Sequence, residues 1–125
     1  PQDRRLAERI IDAGADLILG HHPHVVQGTE TFGRGRVAYS MGNFVFDIHA
    51  GRVRHNFDPW DLRAGYMVEA HLGQEGVRSF GTVPTFLGES GVGAPATGEE
   101  GERLAELLVG FIARRIGRGR GGRSA

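Results

Sequence analysis

Apolar residues recur along this chain in two rhythms, one helical and one alternating, and the exchange between them marks out the elements. In residues 4–13, Leu6, Ile10 and Ile11 share one helical face with Arg and Asp between them, which predicts an amphipathic helix stopping at Gly14. Leu17-Ile18-Leu19 then forms a short apolar run ending at Gly20, the pattern of a buried strand. Residues 31–36 read as a hairpin turn around Gly33 and Gly35. Residues 37–41 read as its return strand, interrupted at Gly42-Asn43 before Phe44-Val45-Phe46. Residues 48–64 are polar and mixed, an irregular excursion anchored by Trp60.

Beyond the excursion, Tyr66, Val68, Ala70 and Leu72 alternate with Met67, Glu69 and His71, the period of a half-buried strand. A Gly-rich turn at 73–76 returns the chain through 77–83, completing a hairpin, and 88–95 reads as a Gly/Pro connection. Thr97 with Glu100 three residues on fits a capping box. Leu104, Leu107, Leu108, Phe111 and Ile112 then form a helical stripe of core type, with Arg114 and Arg115 at the negative end and a stop at Gly117. Residues 1–116 are thus expected to form one unit, and 117–125 a disordered Arg/Gly tail.

Composition narrows the possible chemistry. The chain has 125 residues, room for one domain with its own core. Fifteen cations, all arginine, balance fifteen carboxylates, so no net field steers it to nucleic acid or to an anionic surface. The absence of cysteine removes disulfides, thiolate metal sites and a cysteine nucleophile together, leaving nitrogen and oxygen as metal ligands. Twenty-one glycines point to many turns and close backbone approaches. No apolar run nears the roughly 20 residues of a membrane span. The chain opens at Pro1 directly on a helical pattern, as a piece of a longer protein would.

The ligand-type residues concentrate at His21-His22-Pro23-His24, after the apolar strand, where open α/β sheets build their sites. Pro23 favours an extended His22, and an extended backbone aims His22 and His24 to the same side. Such imidazoles suit Zn, Mn or Fe; the competing reading is a polar loop whose rings bond nearby backbone. Asn43 can donate and accept at once, and local backbone satisfaction in a bulged strand competes with a role at a site. Asp47 stands as a hydrogen-bond partner for a ligating histidine or as a loop cap. His49, His55 and Asp58 read as solvated loop residues and His71 as exposed. The Arg118–Arg123 run has the composition of segments that hold single-stranded RNA, yet it is short, and a solvated tail is favoured over nucleic-acid binding.

Two blocks carry a resemblance. Gly14-Ala15-Asp16-Leu17-Ile18-Leu19-Gly20-His21-His22-Pro23-His24-Val25-Val26-Gln27-Gly28 and Tyr39-Ser40-Met41-Gly42-Asn43-Phe44-Val45-Phe46-Asp47 resemble the C-terminal part of the bacterial CapA, or poly-γ-glutamate capsule biosynthesis, family. That family is similar to calcineurin-like metallophosphoesterases. The resemblance implies an α/β (α+β layered) fold, part of a four-layer αββα sandwich with a mixed sheet and flanking helices. It implies metal ligation by His22 and His24, with His21 adjacent and one extra residue between Gly20 and the His-x-His pair. Asn43 and Asp47 become substrate-binding or supporting residues.

The implied cofactor is a pair of divalent ions (Mn, Zn or Fe), incomplete here because the family's upstream aspartates and Asn-His pair have no counterpart. The implied partners are the remainder of the parent chain with its N-terminal sheet, and an anionic polymer or phosphorylated substrate. The parent protein is expected to be a metal-dependent hydrolase, or a non-catalytic metal or polyanion binder on the same fold. The fragment alone is expected to be inactive. The implied location is the cell envelope, membrane-anchored and extracytoplasmic, otherwise the cytoplasm.

Overall fold

The computed structural model describes residues 2–46 and 58–118. Helix α1 (Gln2–Asp12) carries Asp3 in its first turn and Arg9 in its last, matching the macrodipole. It closes as expected at Gly14, where the Gly14 and Ala15 N–H groups donate to the Ile11 and Ile10 carbonyls at 2.9 and 3.2 Å. Strand β1 (Leu17–Leu19) follows. A loop leads to β2 (Thr29–Phe32), which turns at Gly33-Arg34 into β3 (Gly35–Ala38). The three form a sheet ordered β1-β3-β2, with β1 parallel and β2 antiparallel to β3.

The second sheet is antiparallel, ordered β4-β5-β6. Strands β4 (Ala64–Gly73) and β5 (Gly76–Leu87) form the expected hairpin, pairing from Gly73 opposite Gly76 to Ala64 opposite Phe86, with an irregularity between His71 and Leu72. The return strand runs four residues beyond the expected 83. Short β6 (Gly93–Pro95) pairs on its far edge, so the Gly/Pro stretch is not merely a connection. The first element after the undescribed segment is a short helix, α2 (Pro59–Arg63), in place of irregular chain. Asp58 caps it by accepting from the Trp60 N–H at 2.8 Å, and Pro59 occupies its first turn. The final helix α3 (Gly98–Arg118) runs past the stop expected at Gly117.

The mixed α/β architecture is a layered α+β fold of two small sheets with flanking helices. The chain that follows β3 joins the second sheet at β4, through the bridge of Gly42 opposite Gly65 with the Tyr66 N–H donating to the Met41 carbonyl at 2.9 Å, and at β6, where the Gly93 N–H donates to the Phe44 carbonyl at 2.6 Å. Leu104 and Leu108 of α3 seat on this junction with Val26, Ala38, Ala64 and Tyr66, as the helical stripe requires. Trp60 packs on Phe86 with ring centroids 5.7 Å apart, and the Arg103 guanidinium lies 3.8 Å from the Trp60 ring centre.

The burial expected of β1 fails, and the apolar face of α1 stands open. β1 is an edge strand and only partly covered, with Leu19 47% exposed. On α1, Leu6 and Ile10 are 56% and 39% exposed, and Ala7 is the buried residue of that helix. Of the return strand expected at 37–41, the regular part ends at Ala38; the interruption expected at Gly42-Asn43 is present, and the chain there makes isolated bridges at Met41, Gly42 and Val45. Local pattern marks these segments as apolar, but a strand needs a neighbour along its whole length, and the partners here are single residues.

Candidate functional site

The histidine segment lies in the loop between β1 and β2, and both ends of that loop are fastened to the chain following β3. On the β1 side, Gly20 donates to the Ala38 carbonyl at 2.7 Å and accepts from the Met41 N–H at 3.2 Å. A side chain at Gly20 would collide with the Tyr39 carbonyl oxygen, so only glycine permits this approach. On the β2 side, the Gln27 N–H donates to the Ser40 carbonyl at 2.9 Å, and the Tyr66 hydroxyl donates to the Gln27 carbonyl at 3.1 Å. Burial of Tyr66 pushes its phenol up, keeping the hydroxyl protonated as that donor.

Between these anchors the backbone is contorted. His22 and His24 both have positive φ, +95° and +63°. A non-glycine residue in this region costs about 1–3 kcal/mol and persists only where its surroundings over-determine it. The expected extended His22 is therefore not observed, and strand-like alternation does not set the directions of His22 and His24. Pro23 acts on the residue before it, but the loop closure sets φ against that preference.

The three histidines occupy different surroundings. His24 is half-buried: its Nδ1 lies 2.7 Å from Asn43 Oδ1, and its ring sits 5.0 Å from that of Phe46. His21 is exposed at the rim of an open cavity of about 400 Å³ lined by Leu19, Met41, Phe44, Tyr66 and Met67. His22 is exposed. Among the described residues no three His, Asp or Glu side chains converge as a metal-binding group.

Asn43 is the best-connected polar side chain here. It is buried, and its Nδ2 donates to two backbone carbonyls, His24 at 3.1 Å and Leu62 at 2.9 Å. One amide thus ties the histidine loop to the last turn of α2. Asn43 satisfies backbone carbonyls distant in sequence, not the local ones expected, and it also contacts the His24 ring. Asp47, His49 and His55 lie outside the described residues; Asp58 is a helix cap. The contributions of Phe46 and the Leu62 carbonyl were missed. The Asp58-Pro59 pair, a cap followed by a first-turn proline, was the signal for α2 and so for Leu62.

A layered α+β domain with a histidine loop at the C-terminal end of a parallel strand defines the class. Residues 1–48 match the family described as bacterial capsule synthesis protein PGA_cap. The chain is 37% identical over 89 residues, 71% of its length, to the capsule biosynthesis protein CapA of Bacillus anthracis. It is likewise 37% identical over 89 residues to the PGA biosynthesis protein CapA of Bacillus subtilis. These likenesses support a CapA-family fragment, whose match spans only about a fifth of those relatives, 20% and 21% of their lengths.

Proposed function

We propose that this chain supplies the histidine loop of a metal-dependent, phosphoesterase-like hydrolase site in a CapA-family protein of capsule or poly-γ-glutamate biosynthesis. The observation that carries the reading is His24, held by a buried amide in a strained loop at the end of a parallel strand. The residues fit as one oriented imidazole ligand rather than as a whole coordination sphere. Divalent metal (Mn, Zn or Fe), once bound, would acidify water and neutralise charge developing on a phosphoryl or amide oxygen. An anionic polymer or a phosphorylated compound is the substrate class that follows.

The remaining ligands would come from the rest of the parent protein, of which the family relatives carry about five times the matched length. The open edge of β1 and the exposed Leu6, Ile10 and Leu19 support a second sheet docking there. The family likeness also favours an envelope-anchored, extracytoplasmic protein; among the described residues no helix is long and apolar enough to cross a membrane.

Calorimetric titration of the 125-residue chain with Mn²⁺ or Zn²⁺ tests the reading. The expected dissociation constant is weaker than about 1 μM, under roughly 8 kcal/mol of binding. Binding should be lost in His24→Ala, with no hydrolysis of an aryl phosphate by the chain alone. Metal binding that survives His24→Ala, or no metal binding at all, overturns it. Tight metal and polyanion binding without turnover in the full-length protein would favour a non-catalytic binder on this fold.

A further inference from the structure

The Asn43 amide settles a question that its own atoms leave open. An amide oxygen and nitrogen are interchangeable by a half-turn, and a neutral imidazole carries its proton on either nitrogen, so a contact between them does not by itself assign donor and acceptor. Here the far side of the amide removes the ambiguity. The two other groups facing Asn43 are the His24 and Leu62 carbonyl oxygens, at 3.1 and 2.9 Å, and a carbonyl can only accept. The NH₂ must face them, which turns Oδ1 toward the ring 2.7 Å away. Oδ1 can only accept, so the neutral His24 ring must carry its proton on Nδ1, and the lone pair is on Nε2.

We propose that Asn43 is the positioning residue that locks His24 in its Nδ1–H tautomer and makes Nε2 the ligating atom, which singles out His24 as the pre-organised ligand of the loop. The inference rests on the metal-site reading only for what binds Nε2; the lock follows from the hydrogen bonds alone. The same amide also holds the strained backbone at His24. Its donation to the His24 carbonyl restrains the peptide that follows the φ of +63°, so the ring and main chain of one residue are held by one side chain. A ligating histidine whose other ring nitrogen donates to a fixed acceptor loses less freedom on binding metal, and removing such an acceptor costs about 10–100-fold in metal affinity. Among the described residues, neither His21 nor His22 has a hydrogen bond of this kind. Burial of Asn43 makes the arrangement demanding, because an unfilled partner in the set would leave a polar group without water.

The test is long-range ¹H–¹⁵N correlation spectroscopy on the histidine-labelled 125-residue chain at about pH 8, above the ordinary histidine range. His24 is expected to show a protonated, pyrrole-type Nδ1 and an unprotonated, pyridine-type Nε2. Asn43→Ala should shift His24 toward Nε2–H and weaken Zn²⁺ binding about 10–100-fold. Wild-type His24 in the Nε2–H form, or an Asn43→Ala chain that is folded and unchanged in tautomer, overturns the proposal. Should Asn43→Ala not fold, the wild-type spectrum decides. Zn²⁺ added to the wild-type chain should shift His24 Nε2 selectively. An Nδ1–H tautomer with an Nε2 indifferent to Zn²⁺ would uphold the lock and overturn the metal reading instead.

Discussion

Replacing Gly42 with alanine tests how the two sheets are joined. Gly42 has φ +73°, and its bridge to Gly65 is one of the backbone pairings that join the chain after β3 to the second sheet. An added Cβ would run into the Ala64 carbonyl oxygen and come within 3.0 Å of the Gly65 Cα, both backbone atoms that cannot swing aside. Gly33 provides the control: it too has positive φ, +54°, but a Cβ there meets nothing within 4 Å. Both alanine variants therefore carry the left-handed penalty of about 1–2 kcal/mol. Gly42→Ala alone adds an overpacking term of about 1–3 kcal/mol. The expected losses are about 1–2 kcal/mol for Gly33→Ala and about 2–5 kcal/mol for Gly42→Ala. Urea unfolding followed by circular dichroism reads both, and with a slope of about 2 kcal/mol/M the midpoints should fall by roughly 0.5–1 M and 1–2.5 M. Equal midpoints for the two variants would refute the close approach of the sheets.

Two further outcomes follow from the junction. Leu104 is fully buried against both sheets, so Leu104→Ala should lose about 2–5 kcal/mol in the same unfolding assay; a loss below about 1 kcal/mol would mean that α3 does not seat there. Tyr66 gives a pH dependence of definite sign. Its phenol is pushed up by burial, so the stabilisation is fully present below the ordinary tyrosine value of about 10 and is lost as pH rises toward the higher folded value. Tyr66→Phe should flatten that alkaline decline while weakening the chain near neutrality by about 1 kcal/mol through the lost bond to the Gln27 carbonyl. Thermal melts from about pH 7 to 11 that decline in parallel for both chains would contradict this.

Several features were legible because they depend on near neighbours. The hairpin at 73–76 followed from alternation bounded by glycines, and α3 followed from the spacing of Leu104, Leu107 and Leu108. The two-residue turn at Gly33-Arg34 and the close of α1 at Gly14 are likewise local. Strand β6 was not legible, since three residues of Gly-Ala-Pro become a strand only because β5 offers an edge. Burial of β1 was misread for a related reason: an apolar run states what a segment can bury against, not whether the covering layer lies within these residues.

The candidate site divides in the same way. By itself the sequence determined that histidine is the nitrogen ligand available, that it clusters after an apolar strand, and that Asn43 sits in a glycine-marked interruption. It also carried the likeness to the CapA family, because the spacing within and between those two blocks belongs to the chain itself. Tertiary structure alone decided which histidine is held and how. The separation of nineteen residues between His24 and Asn43, and the same again to Leu62, is closed by the folding of the loop, the seam and α2 onto one point. Hydrogen bonds of that kind have no period and no local propensity to announce them. They exist because Gly20, Gly42 and Gly65 let three backbones approach closely enough for one amide to reach all its partners.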